Sequence, residues 1–123
     1  MREDFFIDGV DIEFGLRVRR AGLDIVAVRD ARLRHRLGDY EERRFMGRTI
    51  PVTHHSAQRR YYQARNRRWT KRLHGRAFPC YFKAQKRAAR VDLLRLLLFE
   101  RGRIGKLWAT FRGALAGMFG KIR

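Results

Sequence analysis

The segment from residue 8 to residue 35 most restricts the fold. In it, apolar residues at helical spacing are followed by apolar residues that alternate as in a strand. Four apolar residues recur at near-helical spacing, namely Val10, Phe14, Val18 and Ala21. Asp8 is predicted to cap the N-terminus of this helix, and Gly22 to end the helix. The apolar, β-branched segment from Leu23 to Val28, continued by alternation up to His35, predicts one strand or two short ones. A helix followed by a strand predicts an α/β fragment rather than a complete α/β fold.

The rest of the chain is predicted to be a loop followed by three helices. Residues 36 to 52 contain Gly, Pro and many charges with little periodicity, which favours a loop of the kind that orders on ligand binding. Ser56 is predicted to cap a second helix that runs to about Leu73, and residues 81 to 100, after Pro79, favour a third. The last segment is predicted to be a basic amphipathic helix with apolar residues at Ile104, Leu107, Trp108, Phe111, Leu115, Met118 and Phe119.

Charge is the dominant feature of the composition. The 123 residues include 30 Lys and Arg against 12 Asp and Glu, a net charge of +18, while 45% hydrophobic content is enough for a core. Such a chain attracts polyanions, and charge alone leaves nucleic acid, phosphorylated ligands and anionic membrane surfaces open. The single cysteine, Cys80, excludes an internal disulfide framework and favours a reducing, cytoplasmic compartment. No apolar run approaches the roughly 20 residues that a simple transmembrane helix needs.

Several ordered motifs carry a resemblance to a known family. The segment FFIDGVDIEFGLR, residues 5 to 17, resembles the acidic motif of family-2 glycosyltransferases with the GT-A fold, and that of bacterial rhamnosyltransferases most closely. The resemblance continues in HRLG at residues 35 to 38, HHS at 54 to 56 and RYYQARNR at 60 to 67. It covers roughly residues 3 to 70 and implies that residues 1–75 are the C-terminal part of a GT-A catalytic domain. The basic helical extension over residues 76–123 is predicted from periodicity alone.

The resemblance implies an enzyme that transfers a sugar with inversion, in bacterial surface polysaccharide synthesis. The donor would be a nucleotide-sugar, with rhamnose as the favoured sugar, and the acceptor a glycan or a lipid-linked glycan. This reaction needs a carboxylate to take the acceptor's proton and a cation to balance the leaving phosphates. By its position in the motif, Asp11 is the expected general base, in the first helical turn where the dipole favours an ionised carboxylate. The same dipole weakens Asp11 as a base, and the sequence leaves open which effect dominates.

Three neighbours of Asp11 are predicted to have supporting roles. Asp8 fits a helix cap better than a catalyst, and Glu13 is spaced to pair with Arg17 four residues later. For an isolated acidic cluster of this spacing, the simpler interpretation is a solvated and well-capped helix start.

His35 follows the predicted strand, where the resemblance implies a ligand of the divalent cation bound by the diphosphate. A neutral imidazole suits Mn²⁺, whereas Mg²⁺ prefers oxygen ligands. A histidine after a strand is otherwise an ordinary hydrogen-bonding residue, and that alternative stays open.

A second group of residues is predicted to contact the acceptor or its phosphates. Interleaved arginines and aromatic rings suit phosphate contacts and stacking on a sugar. The alternatives are helix-capping polarity for the histidines, core packing for the rings and solvation for the arginines. The predicted contacts are His54, His55, Arg60, Tyr62, Arg65 and Asn66.

One motif that the family needs is missing from the sequence. No Asp-x-Asp is found, and this motif grips the donor in the nucleotide-binding half of such enzymes. The opening run from Met1 to Asp8 has no strand before it, which favours an internal entry point into a larger domain. We therefore expect that the isolated chain is inactive and that a longer gene product or a separate partner chain supplies the nucleotide-binding half.

Two other classes of function compete with the enzyme. A small basic nucleic-acid-binding protein is the main alternative, because arginines alternate with aromatic residues, although no nucleic-acid motif of defined spacing appears. Nonspecific nucleic-acid binding is expected from charge in either case. The third possibility is a structural, membrane-peripheral module that has lost catalysis. The final helix suits the anionic inner face of the plasma membrane, or else its apolar face packs on the nucleotide-binding domain or on residues 81 to 100.

Overall fold

The computed structural model describes residues 3–30, 32, 40–45 and 47–122. These residues are mostly helical, with one two-stranded sheet. The elements in chain order are α1 (Val10–Arg20), β1 (Tyr40–Phe45), β2 (Arg48–Thr53), α2 (Ala57–His74), α3 (Pro79–Phe99) and α4 (Arg103–Phe119).

Helix α1 ends as predicted but begins differently. Gly22 has a φ of 80°, and the amides of Gly22 and Leu23 donate to the carbonyls of Arg19 and Val18, which is a Schellman termination. At the other end, Gly9 rather than Asp8 occupies the capping position, with a φ of 85°. The prediction of Asp8 as the cap is wrong, because its carboxylate is held by an ion pair to Arg59.

Helix α2 packs against α4 and also contacts α1. Ser56 caps it as predicted, its Oγ accepting a hydrogen bond of 3.1 Å from the Arg59 amide. One face of α2 is buried, and its Trp69 ring lies 5.8 Å from that of Phe5. The predicted end near Leu73 is also confirmed, since the helix ends at His74.

Helix α4 packs closely along α2 through two glycines. A Cβ atom on Gly113 would overlap the carbonyl oxygen of Tyr61, and one on Gly117 would lie 2.6 Å from the carbonyl oxygen of Arg65. The two backbones can approach this closely because neither glycine has a side chain. Arg72 of α2 then donates from one guanidinium nitrogen to the carbonyls of Gly117 and Gly120 and so caps the end of α4.

Helix α3 is joined to α2 and α4 by buried charge. Pro79 occupies its first turn, where the missing N–H costs nothing. Arg60 of α2 is 3% exposed and pairs with Asp92 and Glu100, while Lys106 of α4 lies 2.6 Å from Glu100. The helix predicted over residues 81 to 100 is thus confirmed, and it begins two residues earlier.

The strand predicted over residues 23–28 and the predicted loop are both wrong, while residues 31 and 33–35 of the strand's predicted continuation lie outside the described residues. Residues 23–28 form no strand and are exposed, since no described strand pairs with them and an unpaired strand leaves its backbone groups unsatisfied. Within the predicted loop of residues 36 to 52, β1 and β2 instead form an antiparallel hairpin in which Tyr40 pairs with Thr53 and Phe45 with Arg48. Its tight turn includes Gly47, which has a φ of 75°.

Candidate functional site

The first part of the acidic motif is a loop, residues 5–9, which we call the acidic loop. It lies against α2, where Asn66 is completely buried. The Asn66 amide nitrogen donates to the carbonyl oxygens of Phe6 at 3.1 Å and Asp8 at 2.6 Å. Its side-chain oxygen accepts a hydrogen bond of 3.0 Å from Arg65. Asn66 therefore holds the loop on the helix through its amide nitrogen, while Arg65 fixes the orientation of that amide.

Asp8 is held by a second residue of α2. The Asp8 carboxylate accepts hydrogen bonds from two guanidinium nitrogens of Arg59, at 2.8 and 3.2 Å. This two-point pairing fixes the orientation as well as the position of the carboxylate. Asp8 in turn raises the pKa of Arg59. Sequence reasoning missed Arg59, which is 51 residues away from its partner.

The acidic loop has an unusual backbone conformation. Ile7 has a φ of 70°, a region that β-branched residues rarely adopt because of steric crowding. Gly9, two residues later, also has a positive φ. Such strain persists only where surrounding contacts hold it, and it is concentrated at binding and catalytic sites. Asn66 and Arg59 provide those contacts on either side of Ile7.

Arg65 and Tyr62 form the wall of α2 beside this loop. The Arg65 guanidinium lies between the rings of Tyr62 and Trp69, 4.7 and 4.3 Å from their centroids, and donates to the carbonyl of Asp4. Tyr62 meets Phe6 edge to face at 4.9 Å. Both residues were predicted to contact an acceptor, and in the structure they contact the acidic loop and its flank; contact with an acceptor stays a prediction.

The predicted catalytic residue and the next acidic residue of α1 differ in solvent exposure. Asp11 lies in the first turn of α1 and is exposed. Glu13 is 2% exposed, and one of its oxygens lies 3.4 Å from Arg17, which confirms the predicted pair. Its other oxygen lies 3.3 Å from Nε2 of the buried His74, a partner at the far end of α2 that no local pattern indicated.

The predicted histidines lie in different places. His35 lies outside the described residues, so its approach to Asp11 is not tested. His54 is exposed and lies 3.1 Å from Glu41 of β1, and this hydrogen bond and that from Arg43 hold the pKa of Glu41 below its usual value. His55 is half-buried, and desolvation together with the nearby cations Arg59 and Arg60 lowers its pKa.

Arg60 has a different environment from the other predicted phosphate contacts. Its guanidinium is buried and paired with the carboxylates of Asp92 and Glu100. Burial favours the neutral form of Glu100, but Lys106 and Arg60 outweigh it and lower the pKa of this carboxyl. A phosphate would have to displace these carboxylates to reach Arg60.

A cavity of about 450 Å³, which we call the loop cavity, lies between the acidic loop, α2 and α3. Asp8 and Gly9 line one side, and Asn66 with Arg67 the other. Tyr81 from α3 also lines it, and burial raises the pKa of this phenol. Gln85 completes a polar wall by donating to the Tyr81 hydroxyl at 3.3 Å. Asp11 is not among the lining residues, and the polar groups of α3 were missed because nothing in the sequence places α3 beside the loop.

Metal ligands are not assembled in the part of the chain that the structure describes. Among residues 3–30, 32, 40–45 and 47–122, no three His, Cys, Asp or Glu side chains cluster as a cation site would require. The predicted ligand His35 is not among them, so the predicted Mn²⁺ or Mg²⁺ is not tested. Within the same residues, no helix has the length and apolarity needed to cross a bilayer.

Comparison with known proteins gives one partial match. The dTDP-rhamnosyl transferase RfbF of Shigella flexneri is 39% identical to the chain over 66 residues, which is 54% of the chain but 21% of that protein's length. No family model matches the chain, and no solved structure matches it. The partial match indicates a glycosyltransferase-like relationship for about half of the chain.

Proposed function

We propose that the chain carries the acceptor side of an inverting glycosyltransferase, as the C-terminal part of a GT-A domain. The observation that carries this proposal is the acidic loop, which Asn66 and Arg59 hold in a strained conformation beside the loop cavity. A cavity of a few hundred Å³ with a few polar groups in its wall is of the usual size for a site that binds a small ligand. The partial match to a dTDP-rhamnosyl transferase supports sugar transfer, with rhamnose as the favoured sugar.

In the proposed reaction Asp11 is the general base. The acceptor hydroxyl gives its proton to the Asp11 carboxylate while the hydroxyl oxygen attacks the anomeric carbon of the donor. The bond between this carbon and the nucleotide diphosphate breaks, its electron pair leaves with the diphosphate, and the new bond forms with inversion. The exposed position of Asp11 leaves its carboxylate accessible to both substrates.

Asp8, Glu13 and Arg17 would position α1 for this step. Asp8 ties the start of the helix to Arg59, and Glu13 ties its middle to His74 and to Arg17. His35 would be the ligand of a divalent cation that balances the charge of the diphosphate.

An exposed apolar segment supports the proposal that a nucleotide-binding half completes the domain. Leu23, Ile25, Val26 and Val28 are between 61% and 79% exposed in a segment that has the composition of a strand. Exposed apolar residues in a row are typical of a surface that is covered in the complete assembly. A parallel sheet in the proposed nucleotide-binding half would pair with this segment and bury it.

A hybrid enzyme tests the proposal. Residues 3–70 would replace the corresponding part of the Shigella flexneri rhamnosyl transferase, and transfer from dTDP-rhamnose to that enzyme's acceptor would be measured. We expect activity in the hybrid and its loss, by at least about 100-fold, on Asp11→Asn. Glu42→Gln, which removes another exposed carboxylate within residues 3–70, is the matched control. A folded hybrid that is inactive, or one in which both substitutions have equal effects, would contradict the proposal.

We place the protein on the cytoplasmic face of the membrane, near a glycan or lipid-linked acceptor. Helix α4 exposes Ile104, Trp108, Phe111 and Phe119, and the Trp108 and Phe111 rings stack at 5.7 Å. Aromatic residues beside exposed basic ones suit an interfacial helix. Binding to vesicles with anionic lipid should weaken as salt is raised, and Trp108→Ala should weaken it at every salt concentration. Salt-independent binding would contradict this placement.

A further inference from the structure

A second cavity, of about 430 Å³, lies between α2, α3 and α4. We call it the interhelix cavity. Its floor is apolar, with the buried residues Ala64, Phe82 and Leu96. Its volume is within the usual range for sites that bind small molecules. Neither the acidic motif nor the residues predicted to bind an acceptor explain it, apart from Arg60 at one edge.

The rim of the interhelix cavity is strongly basic. Six of its lining residues are Lys or Arg, and the acidic residue in the lining is Asp92. Asp92 is already paired with Arg60. Among the described residues, the other five cations form no direct ion pair, and the Asp92 carboxylate acts on Arg67 only at longer range. These five cations are Arg67, Arg68, Lys71, Lys86 and Arg90.

Arg67 is the least exposed of these five cations. It lines both the interhelix cavity and the loop cavity, and burial lowers its pKa. A guanidinium remains charged in proteins, so this desolvation is an energetic cost in the free chain. An anion bound beside Arg67 would offset that cost.

We propose that the interhelix cavity binds an anionic amphiphile, with its phosphate or carboxylate at Arg67, Lys86 and Arg90 and its chain on Phe82 and Leu96. Charge on the rim and apolar surface on the floor match the two halves of such a molecule. A bare phosphate would leave the floor empty, and a neutral lipid would leave the cations unpaired. The two cavities share Arg67 and Gln85 as lining residues, but the proposed binding of an amphiphile does not depend on the proposed sugar transfer.

Octyl phosphate is a suitable probe, because it is soluble as a monomer and has both halves of the ligand. Its binding to the full chain would be measured by calorimetry and located by chemical shift changes. We expect binding at least about tenfold tighter than that of inorganic phosphate or of octyl glucoside, with the shifts at Phe82 and Leu96. Equal affinity for either comparison compound, or shifts confined to Trp108 and Phe111, would overturn the proposal.

Matched charge variants separate a site from a general effect of charge. Lys86→Gln with Arg90→Gln removes two cations of the rim, while Lys83→Gln with Arg87→Gln removes two exposed cations of the same helix outside the cavity. We expect the first pair to weaken octyl phosphate binding about tenfold or more and the second less than about twofold. An equal loss in both pairs would overturn the proposal.

A cavity-filling variant and displacement by lipid vesicles complete the test. Ala89→Phe keeps the charge and is expected to abolish binding with the melting temperature retained; tight binding by this folded variant would overturn the proposal. If phosphatidylglycerol vesicles displace octyl phosphate, the natural ligand is a bilayer lipid. If only octanoate and other soluble amphiphiles displace it, the ligand is a free one, and displacement by neither class would overturn the proposal.

Discussion

Asn66 donates its two amide hydrogens to the carbonyl oxygens of Phe6 and Asp8, at 3.1 and 2.6 Å, while it is completely buried. These two carbonyls flank Ile7, whose φ of 70° is the strained point of the acidic loop. A residue in the middle of α2 thus sets the backbone path that leads into α1. The loop and the helix are one unit, although 58 residues separate Asp8 from Asn66.

Asn66→Ala should therefore loosen the acidic loop and destabilise the fold. Two backbone carbonyls lose the donor that holds them on α2, and we expect the free energy of unfolding to fall by about 2–4 kcal/mol. Denaturant unfolding gives the size of the change, and limited proteolysis between residues 5 and 9 gives its place. Gln58→Ala, at an exposed position of α2, is the control and should change stability by less than about 0.5 kcal/mol. Similar losses in both variants would contradict this role for Asn66.

Two glycines of α4 should respond in opposite directions to the same substitution. At Gly113 a methyl group would overlap the backbone of Tyr61, so Gly113→Ala should cost about 1–3 kcal/mol. At Gly105 nothing lies within 4 Å, so Gly105→Ala should stabilise the helix by about 0.5–1 kcal/mol. Thermal unfolding of the two variants measures the difference. Equal effects would mean that α4 does not pack on α2 through Gly113.

The helices could be predicted from the sequence because their signals are local. The Ser56 cap depends on a residue three positions away, and Gly22 ends α1 through bonds to the preceding turn. The hairpin could not be predicted, since β1 has the sequence YEERRF, which lacks a clear apolar alternation. The strand predicted for residues 23–28 has the right composition, but a strand also needs a pairing partner, which composition does not supply.

The candidate site was predictable only where it lies within one segment. The pair of Glu13 with Arg17 follows from helical spacing, and the structure confirms it. The partners of Asp8 and Glu13 on α2 are 51 and 61 residues away, and the polar wall of the loop cavity depends on where α3 packs. Such contacts are set by tertiary packing, which residue periodicity does not encode.

The buried charges around Arg60 should show strong coupling. Arg60→Met removes the ion-pair partner of Asp92. Among the described residues, it leaves the buried carboxylate of Glu100 paired with Lys106 alone. We therefore expect the free energy of unfolding to fall by about 3–5 kcal/mol. Adding Glu100→Gln to Arg60→Met should recover part of this loss, because the buried charge is removed. A double-mutant cycle of unfolding free energies measures the coupling. Additive losses would show that the two residues do not interact.

Stability should also depend on the titration of His55. Burial and the cations Arg59 and Arg60 lower its pKa in the folded protein below the unfolded value of about 6.5. The unfolded chain therefore takes up a proton first as pH falls, and the folded state loses stability from about pH 7 downwards until both states are protonated. His55→Gln replaces the titrating imidazole by a side chain that does not titrate. The unfolding free energy should then change less between about pH 7 and pH 5. Urea unfolding across this range gives both profiles, and parallel profiles would show that His55 does not cause the change.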